Sequence, residues 1–254
     1  MYKEIFDLTG KKAIATGGAG DLGSSMVDGL VQSGADLVII DVADKAETMA
    51  ADYRKKGFNV WAIKADLSDR ADLERAFAEA LEKLDGRVDI MLNAAGIQRR
   101  HKSEEFPLED WDLVLEINLT ATFRFCQLAA QKMIKQGGGK IINIASMLSY
   151  FGGFTVPAYA ASKGGVAQIT KAFANEWAGK GICINAIAPG YMDTALNTNI
   201  INDPVRNEEI LKRIPQGRWG TGEDVKGVIV FLASAASDYI NGAIIPVDGG
   251  YLGR

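Results

Sequence analysis

Seven short apolar runs, each followed by a glycine-rich turn, a polar turn or a helix-like segment, constrain this chain more than any other feature. They are AIAT at 13–16, DLVIID ending at Asp41, NVWAIKAD closing at Asp66, VDIMLN ending at Asn93, KIINIA before Ser146, GICINAIAP ending at Pro189, and GAIIPVD near the carboxyl terminus. Runs apolar on both alternating faces suit strands covered on both sides, and strand-helix alternation joins parallel strands by right-handed crossovers. The expected fold is therefore α/β: a single-domain, Rossmann-type doubly wound parallel sheet of about seven strands with helices on both faces. A chain of 254 residues fits one such domain over 1–254, with no internal repeat and no interdomain linker. Ligands of such sheets gather at the carboxyl ends of the strands.

The first run enters a glycine cluster, GGAGDLG, that leads into a helix-like segment from Leu22 to about Gln32. Strand, glycine turn and helix point free backbone N–H groups and a helix amino terminus at a phosphate, and Gly17 and Gly23 let the backbone approach it closely. About twenty residues further on, the Asp41 carboxylate can accept both hydroxyls of an adenosine ribose and would repel a 2′-phosphate. NAD is thus favoured over NADP. Asp66, at the end of the third run, could reach the adenine edge. Asn93 and Gly96, after the fourth, fall on the cofactor side of the sheet.

The stretch SMLSYFGGFTVPAYAASK, Ser146 to Lys163, reads as a strand end, a flexible mouth and a helix with Tyr159 and Lys163 on one face. A phenol is a poor base at neutral pH, but a nearby cation favours phenolate and lowers its pKa toward the working range. Ser146 could aim its hydroxyl at the oxygen that the tyrosine serves. Alone, a Tyr-x-x-x-Lys pair reads as an ordinary helix face; beside the glycines, the acid and the serine it reads as proton transfer at a hydroxyl or carbonyl.

Three features stay open on the residues alone. Arg99 and Arg100, with the lone histidine His101, leave a strand end and are either a solvated basic turn or a clamp for an anionic group. Asn118 lies in a mostly apolar stretch of a long helix expected from about Asp110 to Gln136, as a satisfied core amide or a relay member. Tyr191 to Pro215 is polar and less regular, which suits a mobile cover over substrate at about 191–215.

The net charge of −4 leaves no basic footprint for nucleic acid, and no run is long enough for a membrane span. Cys126 and Cys183 lack metal-type spacing and read as small core residues in a reducing compartment. The expectation is a cytoplasmic protein with a small-molecule substrate and no metal.

These motifs in this order resemble the short-chain dehydrogenase/reductases from end to end: TGGAGDLG at 16–23, Asp66-Leu67, NAAG at 93–96, Asn118, Ser146, YAASK at 159–163 and INAIAPGYMDT at 184–194. The resemblance implies an NAD-dependent oxidoreductase with Tyr159 as general acid/base and Lys163 holding the nicotinamide ribose and lowering the phenol's pKa. Ser146 would bind the substrate oxygen, and Asn118 a proton-relaying water. It implies a cofactor site of Gly17, Gly20, Asp21, Leu22, Gly23, Asp41, Asp66, Leu67, Asn93, Ala94, Gly96, Tyr159, Lys163, Pro189, Gly190, Met192 and Thr194. Substrate would meet Arg99, Arg100, Ser146 and Tyr159. The stretches GIQRR, EFPLEDW, RIPQGRWG and the VDGGYLGR terminus are most similar to members acting on sugar acids such as 2-keto-3-deoxygluconate, 2-deoxygluconate or gluconate. A homotetramer is also implied. Three positions depart from the family pattern: Asp21 and Gly222, where glycine and proline are usual, and Ala94, where a second asparagine is.

Overall fold

The computed structural model describes residues 4–254. The apolar runs form β1 (Lys12–Thr16), β2 (Asp36–Asp41), β3 (Val60–Lys64), β4 (Ile90–Asn93), β5 (Gly139–Ile144), β6 (Ile182–Pro189) and β7 (Ile244–Val247). They make one sheet in the order β3-β2-β1-β4-β5-β6-β7, with every neighbouring pair parallel. Register aligns Thr16 with Ile40 on one side and Asn93 on the other, and Asn93 with Asn143. The carboxyl ends of the central strands therefore end at one level. Strand order reverses between β1 and β4, so the crevice expected of such a sheet opens there.

The helices are α1 (Asp21–Gln32), α2 (Lys45–Lys55), α3 (Arg70–Lys83), α4 (Leu108–Leu115), α5 (Ala121–Gln136), α6 (Pro157–Trp177), α7 (Thr198–Ile201), α8 (Pro204–Leu211) and α9 (Gly222–Ala233). Two apolar layers bury the sheet. Met26, Leu30, Ala50, Val225 and Ile229 cover one face from α1, α2 and α9; Leu73, Phe77, Phe125, Met133 and Trp177 cover the other from α3, α5 and α6. This two-sided burial is why the strands read as unbroken apolar runs.

Local signals set the helix ends. The Asp69 carboxylate accepts from Ala71 and Asp72 N–H to start α3, and Thr221 and Asp224 form a capping box on α9. Helix α5 stops at Gly137, in the left-handed region at φ 92°. In α1, by contrast, Gly20 supplies no side-chain cap, so its first N–H groups remain for a ligand. A Cβ at Gly222 would overlap the Ser25 hydroxyl oxygen. That close packing of α9 on α1 excludes the proline usual in the family.

Two expectations change. The helix foreseen over 110–136 is broken by a π turn at Glu116–Thr120. Residues 191–215 are more ordered than expected: an isolated bridge joins Met192 to Gly220, Asp203 and Pro204 start α8, and Ile210 and Ile214 bury against Met147 and Tyr251. The cysteines are also less simply apolar. Cys126 is buried against the Asn93 and Asn143 amides, with its thiol pushed up to about 12 by burial, and Cys183 is only half-buried. Among the described residues, no helix is long and apolar enough to cross a membrane.

Candidate active site

A cleft of about 500 Å³ lies over the carboxyl ends of β1, β2 and β4. Its floor is the glycine loop. Gly17 adopts φ 63°, and a Cβ there would lie 2.5 Å from the Cα of Ala95; a Cβ at Gly23 would overlap the Gly17 carbonyl. Only glycines let this loop fold onto the β4 turn and open α1 beneath it. Gly20, Asp21 and Leu22 line the cleft beside them.

Asp41 closes the β2 end of the cleft. Its Oδ2 accepts the Ala19 N–H at 2.9 Å and its Oδ1 the Ala43 N–H at 3.0 Å, so the acid braces the glycine loop as well as facing the cleft. Each oxygen keeps a lone pair for a ribose hydroxyl. Val42, Ala43, Ala65 and Leu67 complete that end, and no lysine or arginine lines it among the described residues. An adenosine portion fits there on this donor set.

At the opposite end, Tyr159 and Lys163 enter the cleft from the first turns of α6. Burial pushes the Tyr159 pKa up, and the neighbouring Ser146 hydroxyl pulls it down. Lys163 is buried, and burial lowers its pKa from 10.5 to about 8. Its Nζ donates to the Ile144 carbonyl at 2.6 Å and lies 5.6 Å from the centre of the Tyr159 ring. The ammonium thus sits beside the tyrosine ring, with one of its protons engaged by the carbonyl at the end of β5. Ser149, in the turn after β5, also ties to α6, donating from its hydroxyl to the Lys163 carbonyl at 2.7 Å.

The π turn explains Asn118. Its Oδ1 accepts the Ile97 N–H at 2.8 Å, and its Nδ2 donates to the Ile97 carbonyl at 2.9 Å and to Ser162 Oγ at 3.1 Å. Wholly buried, the amide ties the loop after β4 to α6. Three of the amide's four hydrogen-bonding positions are used, which leaves one lone pair on Oδ1.

The two arginines have different surroundings. Arg99 lines the cleft, but its Nε bonds Asp110 at 3.2 Å, and Asp110 also meets His101 Nε2 at 2.6 Å. Arg100 bonds only the Gln98 side-chain oxygen, at 3.2 Å, and has no carboxylate partner among the described residues. Burial, and then the neighbouring Arg206 cation, lower its pKa, with Tyr191 acting the other way.

Several expected cofactor residues do not line the cleft. The Asn93 amide is buried, donating to Asn143 Oδ1 at 2.8 Å. Asp66 accepts from the Ser68 N–H and hydroxyl in its own turn. Pro189 ends β6, Gly190 packs on Asp248, and Met192 is buried toward Gly220. Ala94, Gly96 and Thr194 do line it. Sequence reading missed Ile144, Asp110 and Arg206. The acid of EFPLEDW was a signal for Asp110, but only the folded loop brings it to Arg99.

Comparison with known proteins adds to this geometry. A family model described as enoyl-(acyl carrier protein) reductase matches residues 17–252. The 2-dehydro-3-deoxy-D-gluconate 5-dehydrogenase of Bacillus subtilis (strain 168) is 47% identical over 251 residues, covering 99% of this chain and 98% of its own length. The Escherichia coli (strain K12) protein of the same name is 48% identical over 259 residues and covers 100% of both. A gluconate 5-dehydrogenase from Burkholderia cenocepacia J2315, solved with NADP and tartrate, is 39% identical, superposes with a TM-score of 0.95 and covers 100% of both chains.

Proposed function

The chain belongs to the short-chain dehydrogenase/reductase family, and from that premise we propose that it is an NAD-dependent dehydrogenase interconverting a secondary hydroxyl and a ketone on 2-keto-3-deoxy-D-gluconate. The observation that carries the reaction is the Ser146–Tyr159 hydroxyl pair, set in a dinucleotide-sized cleft beside a buried lysine. The substrate reading rests on near-half identity to two 2-dehydro-3-deoxy-D-gluconate 5-dehydrogenases over the full chain. Those relatives and the gluconate 5-dehydrogenase are all named for carbon 5 of a six-carbon sugar acid. Carbon 5 is therefore the proposed reacting centre, four carbons from the carboxylate.

When bound, the nicotinamide supplies the hydride acceptor. The residues of the chain do the rest. Ser146 donates its hydroxyl proton to the substrate oxygen and orients it toward Tyr159. In oxidation Tyr159 takes the hydroxyl proton as phenolate; in reduction it returns one as phenol. Lys163 keeps two N–H protons beyond the Ile144 bond, available for ribose hydroxyls. Arg100, without a carboxylate of its own among the described residues, is the proposed partner of the sugar-acid carboxylate, with Arg206 of α8 contributing charge from the cover.

Asp41 supports NAD, because a 2′-phosphate would meet its carboxylate, and no lysine or arginine lines that end of the cleft among the described residues. The Burkholderia cenocepacia relative was solved with NADP, so cofactor choice is a property to be measured on this chain. Following reduced-cofactor absorbance for NAD⁺ and NADP⁺ with 2-keto-3-deoxygluconate, 2-deoxygluconate, gluconate and neutral polyols tests both halves. A preference for gluconate would move the protein to the gluconate 5-dehydrogenases; activity only on neutral polyols would remove the sugar-acid reading. We further propose a cytoplasmic homotetramer, supported by Phe123 and Ile134 exposed on α5. Light scattering at micromolar concentration tests the assembly.

A further inference from the structure

Asp21 is the first residue of α1, at the rim of the cleft, where the family pattern has a glycine. Its carboxylate neither faces solvent unpartnered nor caps its own helix. Oδ2 accepts the backbone N–H of Ala195 at 2.7 Å, across 174 residues of sequence. Ala195 opens the turn that begins the cover, immediately after Thr194, which also lines the cleft. On its far side the entrance is held by main-chain bonds: Asp193 N–H to the Gly220 carbonyl at 2.7 Å, and Gly220 N–H to the Tyr191 carbonyl at 2.9 Å. Asn197 adds a bond from Nδ2 to the Met192 carbonyl at 2.8 Å. Among the described residues, Asp21 is the side chain that links the glycine loop to the cover.

The position has opposing electrostatic consequences. A carboxylate in the first turn of a twelve-residue helix is favoured by the helix dipole. The same positive end is where the pyrophosphate of a dinucleotide would sit, and two anions compete for it. A glycine there would avoid the repulsion but would leave the Ala195 N–H without its acceptor.

We infer that Asp21 is a positioning residue that holds the cover entrance in register before the dinucleotide arrives, at the expense of weaker dinucleotide binding. The hydrogen bond orders the backbone at 194–195, so that Thr194 is already against the cleft when the cofactor enters. The charge, rather than the bond, opposes the pyrophosphate. The second half of this inference rests on the dinucleotide reading above; the first does not.

Two variants separate bond from charge. Asp21→Asn keeps a side-chain oxygen able to accept from Ala195 and removes the charge; Asp21→Ala removes both. Amide hydrogen exchange of the ligand-free protein is expected to leave 195–201 unchanged in Asp21→Asn and to speed it roughly three- to tenfold in Asp21→Ala, with β1 and α9 unaffected. NAD⁺ binding, followed by fluorescence, is expected to tighten roughly three- to tenfold in Asp21→Asn, with the gain shrinking as salt screens the two anions. Unchanged exchange at 195–201 in Asp21→Ala overturns the latch. Equal or weaker NAD⁺ binding by Asp21→Asn overturns the repulsion. If no variant and no wild-type protein binds a dinucleotide, the functional reading fails while the exchange result still judges the latch.

Discussion

The Lys163 ammonium donates to the Ile144 carbonyl at 2.6 Å and lies 5.6 Å from the centre of the Tyr159 ring. The two side chains lie beside each other in one buried environment, and the ammonium's hydrogen bond goes to the main chain. Burial raises the Tyr159 pKa and lowers that of Lys163 to about 8. Both shifts disfavour charge, so the proton balance of this pair is set by what fills the cleft. A positive nicotinamide favours phenolate, and ribose hydroxyls replace solvent around the ammonium.

The pH dependence follows from these directions. Oxidation needs a phenolate, and with Tyr159 raised and Lys163 near 8 the pair begins to lose protons only at mildly alkaline pH. The kcat/KM for alcohol oxidation is expected to climb from pH 7 to 9, and that for ketone reduction to fall over the same range. Tyr159→Phe should lose about 10³-fold or more in kcat, with NAD⁺ binding retained. A flat profile from pH 6 to 10, or an active Tyr159→Phe, would remove Tyr159 from the proton-transfer step.

Lys163 also links function to stability. A lysine whose pKa falls on folding binds its proton less well in the folded chain, so its cost is present below about pH 8 and is relieved as pH rises toward 10.5. That fall corresponds to on the order of 3 kcal/mol, from which the lost Ile144 hydrogen bond removes about 1 in a Lys163→Met variant. The variant is expected to be inactive yet more stable in urea at pH 7, with its advantage shrinking by pH 10. A variant less stable than wild type at pH 7 would mean that the ammonium is better solvated than its burial implies.

Cofactor choice turns on Asp41. In Asp41→Asn one oxygen remains for a backbone N–H, but the charge that repels a 2′-phosphate is gone. Charge-assisted bonds to ribose hydroxyls contribute roughly 1.5–3 kcal/mol, so the ratio of kcat/KM for NAD⁺ over NADP⁺ should fall about 10- to 100-fold. An unchanged ratio would show that selectivity resides elsewhere along the cleft.

The sheet was legible because strands buried on both faces read as continuous apolar runs, and the Gly17–Gly23 loop because close backbone approach admits few residues. Tyr159, Lys163 and Ser146 could be gathered by spacing within one helix and one strand end. Spacing did not say where the end of a long side chain goes, hence the unforeseen Ile144 bond. Nor did it reveal partners that only the folded chain brings together. Asn118 meets Ile97 through a π turn, Arg99 meets Asp110 across a loop, and Asp21 meets Ala195 from the other end of the sequence. The cover looked irregular because its helices are short; Asp203-Pro204 was the cue that α8 begins there.

The arginines make the last prediction, because they stood together in sequence and separate in the structure. Arg99 already has Asp110, whereas Arg100 has no opposing charge among the described residues and faces the Arg206 cation. A carboxylate seated there would form the bidentate pair that this guanidinium lacks, at roughly 1.5–3 kcal/mol once the substrate covers it. Arg100→Ala is therefore expected to raise KM for 2-keto-3-deoxygluconate about 10- to 100-fold with NAD⁺ affinity unchanged; Arg99→Ala should have a smaller effect. Arg100→Lys should recover only part of the loss, since an ammonium keeps the charge but not the fork. Steady-state kinetics on the acid and on an uncharged polyol separate charge recognition from packing. An equal loss on both would make Arg100 a structural support of the loop rather than the carboxylate's partner.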